Sequence, residues 1–325
     1  MKKVTIVITT YNRANLVTEA VESVIAQTYG DIEIIVVDDG STDNTEGALG
    51  KYLSQGTIKY VKKKNEGACV ARNIGIKMAG GEFVGVLDSD DLYMPEKVAR
   101  TVKYFGKYPD TGFVYSSAYI VSEDKKIIRK HNKYQSYMPE KTAHELLFGN
   151  FICNSSVIVR KQCFDDVGYY DENIFLPADW DLWIRLAEKF TAGYVEEPLI
   201  MYRKYGGTVL KDLEKARGED LYVLDKTFKR NPEIREPDRK RMISRVFFNN
   251  AVNYLFLDQD EAARNNMELS LSGDPLNIKA VSLLALKKMF IRQNKMLYHI
   301  VQFVNKIENV ILVSFLRIIK RRCEW

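Results

Sequence analysis

The sequence predicts an α/β protein built on a mostly parallel sheet with flanking helices, followed by a helical C-terminal region. Three observations carry that expectation. Over about the first 120 residues, short β-branched runs alternate with amphipathic stretches, the pattern of βαβ units. Ile34-Ile35-Val36-Val37 is apolar on both faces, as an interior parallel strand requires. From about residue 212 onward the only regular pattern is helical.

The elements follow in order. Val4-Thr5-Ile6-Val7-Ile8-Thr9 reads as a strand, and Leu16, Val17, Ala20, Val21, Val24 and Ile25 recur at helical spacing behind it. Strands are expected at Ile34–Val37, Ile58–Val61 and Phe83–Leu87, with a helix over Ala68–Met78 between the last two. Pro95 suits the first residue of a helix running to about Tyr104. Beyond residue 112 the pattern loosens: Phe113–Val121 and Lys126–Arg129 resemble a hairpin, Ser155–Arg160 a strand and Asp179–Lys189 a helix. Apolar-periodic segments near 239–257 and 260–271, followed by Asp274-Pro275, predict a helical hairpin and a break.

Composition narrows the function classes. The 325 residues, 46% hydrophobic and 28% charged, exclude a disordered or collagen-like chain. At about 150 residues per domain they predict two domains. The formal charge of +5 is uneven, because residues 279–325 carry ten Lys and Arg against only Glu308 and Glu324. The body is therefore slightly acidic, and no nucleic-acid partner is expected. Cys69, Cys153, Cys163 and Cys323 form neither a C-x-x-C pair nor a zinc spacing, which predicts a reducing compartment. Met1-Lys2-Lys3 leads straight into the first strand without the apolar core of a signal peptide, so a cytoplasmic location is expected.

The chemistry-bearing residues fall at strand ends. Asp38-Asp39-Gly40-Ser41 follows one strand and Asp88-Ser89-Asp90-Asp91 another, and ligands of parallel α/β sheets bind outside the carboxyl ends of the strands. Each turn alone is equally well explained as a solvated Asp-Gly-Ser turn. Two on neighbouring βα units favour a site, where a divalent cation relieves the repulsion between carboxylates. Asp88-x-Asp90 offers hard oxygen ligands suited to Mg²⁺ or Mn²⁺. The chain has neither G-x-G-x-x-G after its first strand nor a P-loop, so side chains and a metal must take over any diphosphate binding.

Thr9-Thr10-Tyr11-Asn12-Arg13, Val37-Asp38-Asp39-Gly40-Ser41-Thr42-Asp43 and Leu87-Asp88-Ser89-Asp90-Asp91, at these separations, resemble family 2 glycosyltransferases of the GT-A fold. The similarity continues through Asn154-Ser155-Ser156-Val157, Gly168-Tyr169-Tyr170-Asp171-Glu172 and Ala178-Asp179-Trp180-Asp181-Leu182-Trp183, ending near Tyr202-Arg203. It implies a Rossmann-like GT-A catalytic domain over 1–210, with a nucleotide-sugar half to about 115 and an acceptor half from about 116. A helical region over 211–295 and a basic amphipathic helix over 296–325 would follow. It also implies an inverting, metal-dependent transferase that moves a sugar from a nucleotide-sugar donor, by default a UDP-sugar, to a glycan, lipid-linked or other hydroxyl acceptor, in cell-envelope polysaccharide or glycoconjugate synthesis. By position in the motifs, Thr9, Tyr11 and Asp39 would line the nucleobase pocket and Arg72 would reach the nucleotide. Asp88 would hold the ribose or lie near the metal, Asp90 would ligate Mn²⁺ or Mg²⁺, and Asp179 would be the catalytic base.

The chemistry supports such roles. Loss of a nucleoside diphosphate builds negative charge on the leaving oxygen while the ring becomes oxocarbenium-like, and a carboxylate on the opposite face can take the acceptor's proton. Asp179 and Asp181, two apart on a helix, cannot both face one pocket. The alternative for Asp179 is a first-turn acid that only stabilises its helix. Two departures from the family pattern stand out: Ala178 where Glu is common, and Tyr205 where His is common. They motivate a second reading, a non-catalytic nucleotide-sugar-binding or assembly subunit. His131, His144 and His299 lie outside the motifs and read as ordinary. Of Tyr11, Trp180, Trp183 and Tyr205, only Tyr11 is expected to stack on a ligand ring. Between Ile300 and Lys320 an apolar face opposes a polar arc and precedes Lys320-Arg321-Arg322. The segment is too short in apolar residues to span a bilayer. It suits contact with an anionic, cytoplasmic membrane face and, equally, a homodimer contact.

Overall fold

The computed structural model describes residues 2–131, 141–204, 212–257 and 259–275. Tyr205, His299 and the C-terminal helix expected over 296–325 lie outside the described residues. In chain order the elements are β1 (Val4–Thr10), α1 (Ala14–Ile25), β2 (Ile32–Asp38), α2 (Thr45–Ser54), β3 (Lys59–Lys62), α3 (Ala68–Met78), β4 (Phe83–Asp88), β5 (Leu92–Tyr93), α4 (Lys97–Lys107), β6 (Thr111–Val121) and β7 (Ile127–His131). They continue with α5 (Thr142–Leu146), a single 3-10 turn at Asn154–Ser156, β8 (Ile158–Arg160), α6 (Cys163–Val167), α7 (Ala178–Lys189), β9 (Thr191–Arg203), α8 (Leu213–Arg230), α9 (Glu236–Phe256) and α10 (Asp260–Gly273). Chain contacts divide the protein into two compact units, Met1–Met242 and Ile243–Trp325.

The described strands form one sheet in the order β3-β2-β1-β4-β8-β6-β9-β5, with β7 on β6. Strands β3, β2, β1 and β4 are parallel, as the alternating pattern predicts. Strand β8 runs antiparallel between β4 and β6, and β6 pairs parallel with β9. Every residue of β1 is buried, because helices cover both faces. Helix α1 turns Val17, Ala20, Val21 and Val24 inward at helical spacing, onto a core that includes Ile6, Ile8, Val36, Phe83 and Leu87. Each buried Val, Ile, Leu or Phe side chain there contributes roughly 1.5–3 kcal/mol on burial.

Helices α2, α5 and α6 and strand β5 form in segments where the sequence pattern predicts no element, and three further elements differ from the expectation. The 13-residue β9 carries Glu196-Glu197-Pro198 in its middle and gives no strand pattern. The register against β6 jumps from Ser116↔Val195 to Ser117↔Pro198, so the proline's missing N–H falls at a bulge and interrupts no regular ladder. The expected Ser155–Arg160 strand is only Ile158–Arg160, since Asn154–Ser156 curls into a turn. Helix α4 starts two residues after Pro95, whose carbonyl accepts from Thr28 N while Lys97 N closes a turn onto Met94 O. The hairpin β6–β7 and, among the described residues, the helices between 213 and 273 occur as expected. In the second unit, Ala251 and Met267 pack together, and Ser244 Oγ donates to Ser270 O at 2.7 Å.

Helix α3 approaches β1 closely, because a Cβ on Gly75 would meet Val7 Cγ1 at 2.2 Å. Gly50, on α2, has open space around that position. Gly75→Ala is expected to destabilise the fold by about 1–3 kcal/mol through overpacking. Gly50→Ala is expected to stabilise it by about 0.5–1 kcal/mol by restricting the unfolded chain. Urea midpoints moving in opposite directions at unchanged slope would bear this out.

Candidate active site

The parallel register brings the expected residues to one edge. Thr9 pairs with both Val37 and Asp88, and Thr10 with Asp38, so β1, β2 and β4 end side by side. Thr9 is nearly buried there, and Tyr11, just beyond β1, is 45% exposed. Asp38 is structural: it accepts from Ser41 N at 2.8 Å and from Tyr60 OH at 2.6 Å. Asp39 binds the entrance of α3, accepting from Gly67 N at 2.9 Å, Glu66 N at 3.0 Å and Lys63 Nζ at 2.6 Å. Gly40 makes this junction possible: its φ is +81°, and a Cβ would strike Asn65 N at 2.8 Å.

Helix α3 also delivers Arg72 to the end of β4. Its Nη2 donates to Asp88 Oδ1 at 2.8 Å, and Asn154 Nδ2 reaches both Asp88 oxygens at 3.2 Å. Burial alone would push the Asp88 carboxyl up, but Arg72, joined by Asn154 and Arg13, outweighs it and holds the group below its usual value. Asp90 behaves in the opposite way. Burial raises it, Arg13 at 2.8 Å opposes that, and the nearby Asp88 charge leaves it net raised. Asp91 is pushed furthest, by burial and then by Asp88 and Asp90; it accepts from Ser155 Oγ and from Arg203 N at 3.0 Å. Asp91 therefore ties the β4 end to β9 and to the Asn154–Ser156 turn.

That turn is pinned from beneath by Lys97. Its fully buried Nζ donates to Ser156 O and to Ser116 Oγ at 3.4 Å, and burial lowers the ammonium to about 7.

Among the described residues, no group of three His, Cys, Asp or Glu side chains is arranged to hold a metal. The donor set still fits a cation that takes few protein ligands. Asp90 is a hard oxygen donor whose charge is under-compensated, and its partner Arg13 is partly exposed. Asp88 stands two residues away with both oxygens already engaged.

Asp179 opens the first turn of α7. Asn150 Nδ2 donates to its Oδ2 at 3.0 Å and Trp180 N to its Oδ1 at 2.8 Å. Burial pushes its carboxyl up to about 6 against the pull of Arg72, and the Asp88 charge adds to the rise. Asp179 and Asp88 thus share the field of one guanidinium. Asp181 faces the other way, as the helix requires: it is fully buried, and it binds Arg185 at 2.7 Å and Lys226 at 3.0 Å. The segment leading to α7 is held on α3 by Asn73, which donates to Tyr170 O and accepts from Tyr170 N.

Of the aromatic candidates, Trp180 and Trp183 are buried. Trp180 Nε1 donates to Leu146 O at 2.6 Å and Trp183 stacks on Phe113, so both serve the core. His144 lies exposed beside Glu145 and Phe148. The roles of Asn150, Asn154, Ser155, Arg13 and Lys97 are not deducible from local pattern. Only the Asn154-Ser155-Ser156 motif and, for Arg13, the Thr9–Arg13 motif signalled that their segments belonged to the site.

Residues 5–168 match the model of Glycosyl transferase family 2. An uncharacterized glycosyltransferase of Rickettsia prowazekii is 33% identical over 230 residues, which cover 67% of this chain and 70% of that protein. Against two longer rickettsial relatives, the chain spans only about a third of their length. Among solved structures, Staphylococcus aureus TarS 1-349 in complex with UDP-GlcNAc superposes with a TM-score of 0.64 at 18% identity, covering 86% of this chain and 83% of that one. The mannosyltransferase PcManGT of Pyrobaculum calidifontis, in complex with GDP-Man and Mn²⁺, gives 0.57 at 17% identity, covering 95% and 86%. At those identities the likeness is one of fold, and the fold is GT-A. With half its length matched by the family model and a relative at 33% identity largely covered, the chain belongs to glycosyl transferase family 2.

Proposed function

We propose that the protein is an inverting glycosyltransferase that moves a sugar from a nucleotide-sugar donor, a UDP-sugar by preference, to a hydroxyl of a glycan or lipid-linked acceptor in envelope polysaccharide or glycoconjugate synthesis. The observation that carries this reading is Asp179: a carboxyl held near 6, oriented by Asn150, sharing Arg72 with the acidic end of β4. The UDP-GlcNAc bound by TarS and the GDP-Man bound by PcManGT support a nucleotide-sugar donor.

The residues divide the work. Tyr11 stacks on the base, with Thr9 and Asp39 around it, and Asp39 also holds the α3 entrance. Arg72 fixes Asp88 toward the ribose and lends positive charge to the diphosphate side. When bound, Mn²⁺ or Mg²⁺ at Asp90, with Asp88 beside it, supplies positive charge against the departing diphosphate. Asp179, ionised above pH 6, accepts the acceptor's proton as its oxygen attacks the anomeric carbon from the face opposite the leaving group. Ala178 leaves no second carboxylate in the preceding position, so Asn150 takes over the orienting hydrogen bond.

Asp179→Asn is expected to lower kcat by about 10²- to 10⁴-fold while donor binding survives. In the wild type kcat/KM should rise with pH through about 6, because the base works only when deprotonated, and this limb should vanish in the variant. Transfer undiminished in Asp179→Asn would remove the mechanism. Donor binding by a wild type that transfers to nothing would favour a non-catalytic subunit.

The metal reading is tested by thermal shift with UDP. Mn²⁺ should add to the stabilisation given by UDP alone, since a ligand of the folded state raises its apparent stability. Asp90→Asn should lose that increment and keep the metal-free one; an unchanged increment would contradict the role of Asp90.

A further inference from the structure

One acidic group near the base plays no part in that mechanism. Helix α8 buries Ala216, Val223 and Thr227, three positions of a single inward stripe. Helical spacing places Asp220 on the same stripe, four residues after Ala216 and three before Val223. An acid there interrupts an otherwise closed face. It is half-buried, and among the described residues it makes no side-chain hydrogen bond or ion pair, so its oxygens remain free to meet a ligand. Burial first, then Glu219 and Asp179, push its carboxyl up to about 7, which places Asp220 within the field of the base.

A second contact fixes where α8 lies. Glu219 Oε2 accepts from Phe175 N at 3.2 Å and Leu176 N at 2.8 Å, tying the helix to the segment that leads directly into Asp179. The Phe175 ring is left 65% exposed, with the Lys215 ammonium over it at 5.4 Å. Phe175 stands four residues before Asp179 in the chain, and Asp220 directly follows the anchoring Glu219 on α8.

We infer that α8 completes an acceptor subsite for the uncharged terminal sugar of a glycan, with Asp220 binding a hydroxyl next to the one attacked and Phe175 stacking on the ring's C–H face. The inference rests on the transferase reading, which requires the acceptor hydroxyl to reach Asp179. Sugars combine an apolar face with a rim of hydroxyls, so an exposed aromatic beside an unpaired carboxyl matches them. A phosphate- or carboxylate-terminated acceptor is disfavoured, because Asp220 and Asp179 would repel it. The acceptor half expected to close near residue 210 thereby extends onto a helix beyond that boundary.

The full-length protein saturated with UDP and Mn²⁺ is tested by saturation-transfer NMR. The probes are p-nitrophenyl β-glucoside, β-galactoside and β-N-acetylglucosaminide, with p-nitrophenyl β-glucuronide as the charged control. At least one neutral glycoside should bind the wild type, and the glucuronide should bind more weakly than any neutral probe that binds. Asp220→Ala and Phe175→Ala should each weaken binding about tenfold or more, the loss expected for one hydrogen bond to a charged group or one stacking contact. The UDP-dependent thermal shift should persist in both variants and shows that they fold. No neutral glycoside binding to the wild type, preference for the glucuronide, or unchanged affinity in both variants overturns the subsite. A wild type that shows no UDP-dependent shift overturns the transferase reading instead, whatever the glycosides do.

Discussion

The ion pair between Arg72 and Asp88 is the interaction on which the site depends. Helix α3 and strand β4 are consecutive elements of the parallel half, and the pair closes their ends at 2.8 Å. Without Arg72, the Asp88 carboxylate would face Asp90 and Asp91 in a setting that already resists negative charge. The Arg72 guanidinium is the largest of the contributions, with Asn154 and Arg13, that keep Asp88 ionised, and the same charge reaches Asp179 on α7. The carboxylates at the end of β4 and at the start of α7 are coupled through it, so a change at Arg72 would act on both at once.

Much of this arrangement is legible in the sequence because strand ends carry local signals. Asp39-Gly40-Ser41 and Asp88-Ser89-Asp90 after apolar runs mark turns, and the parallel order puts both on one edge. The difference between Asp88, Asp90 and Asp91 is not legible. Three adjacent acids in one motif acquire different characters because Arg72, Arg13, Ser155 and the Arg203 backbone come from four separate segments. Strand β9 escapes notice for a related reason: its Glu196-Glu197-Pro198 interruption is acceptable only where the β6 register shifts, and that shift is a property of the assembled sheet. Beyond residue 212 the pattern says helix but fixes no neighbour, so Asp220 looks like any surface acid until Glu219 is seen to anchor α8 beside Asp179.

The buried Lys97 shows how support and site are joined. It touches neither the Arg72–Asp88 pair nor Asp179, yet it fixes the Ser156 carbonyl, and the turn carrying that carbonyl supplies Asn154 to Asp88 and Ser155 to Asp91. Burying an ammonium is unfavourable unless its protons are satisfied, and burial already weakens its charge. That unfavourable burial is compensated at the turn, where two acids of the site find their donors.

The direction of the carboxyl shifts sets Glu33, at the amino end of the sheet, apart from Asp90, Asp91 and Asp179 of the site, while Asp88 is lowered like Glu33. At the amino end Glu33 receives Thr5 Oγ1, Gly80 N and Lys59 Nζ; burial raises its carboxyl, and these donors overcome that and lower it to about 2. Such a group stabilises the fold above its unfolded value near 4.5, and that contribution is lost as pH falls toward 2. At the carboxyl end Asp90, Asp91 and Asp179 are raised, so ionising them opposes folding. For Asp179 that opposition is absent below its unfolded value of 3.8 and grows until pH passes about 6, the range over which it becomes competent as a base. The same ionisation that weakens the fold equips the site, because a carboxylate whose charge is poorly compensated holds a proton or a cation more strongly than one already satisfied.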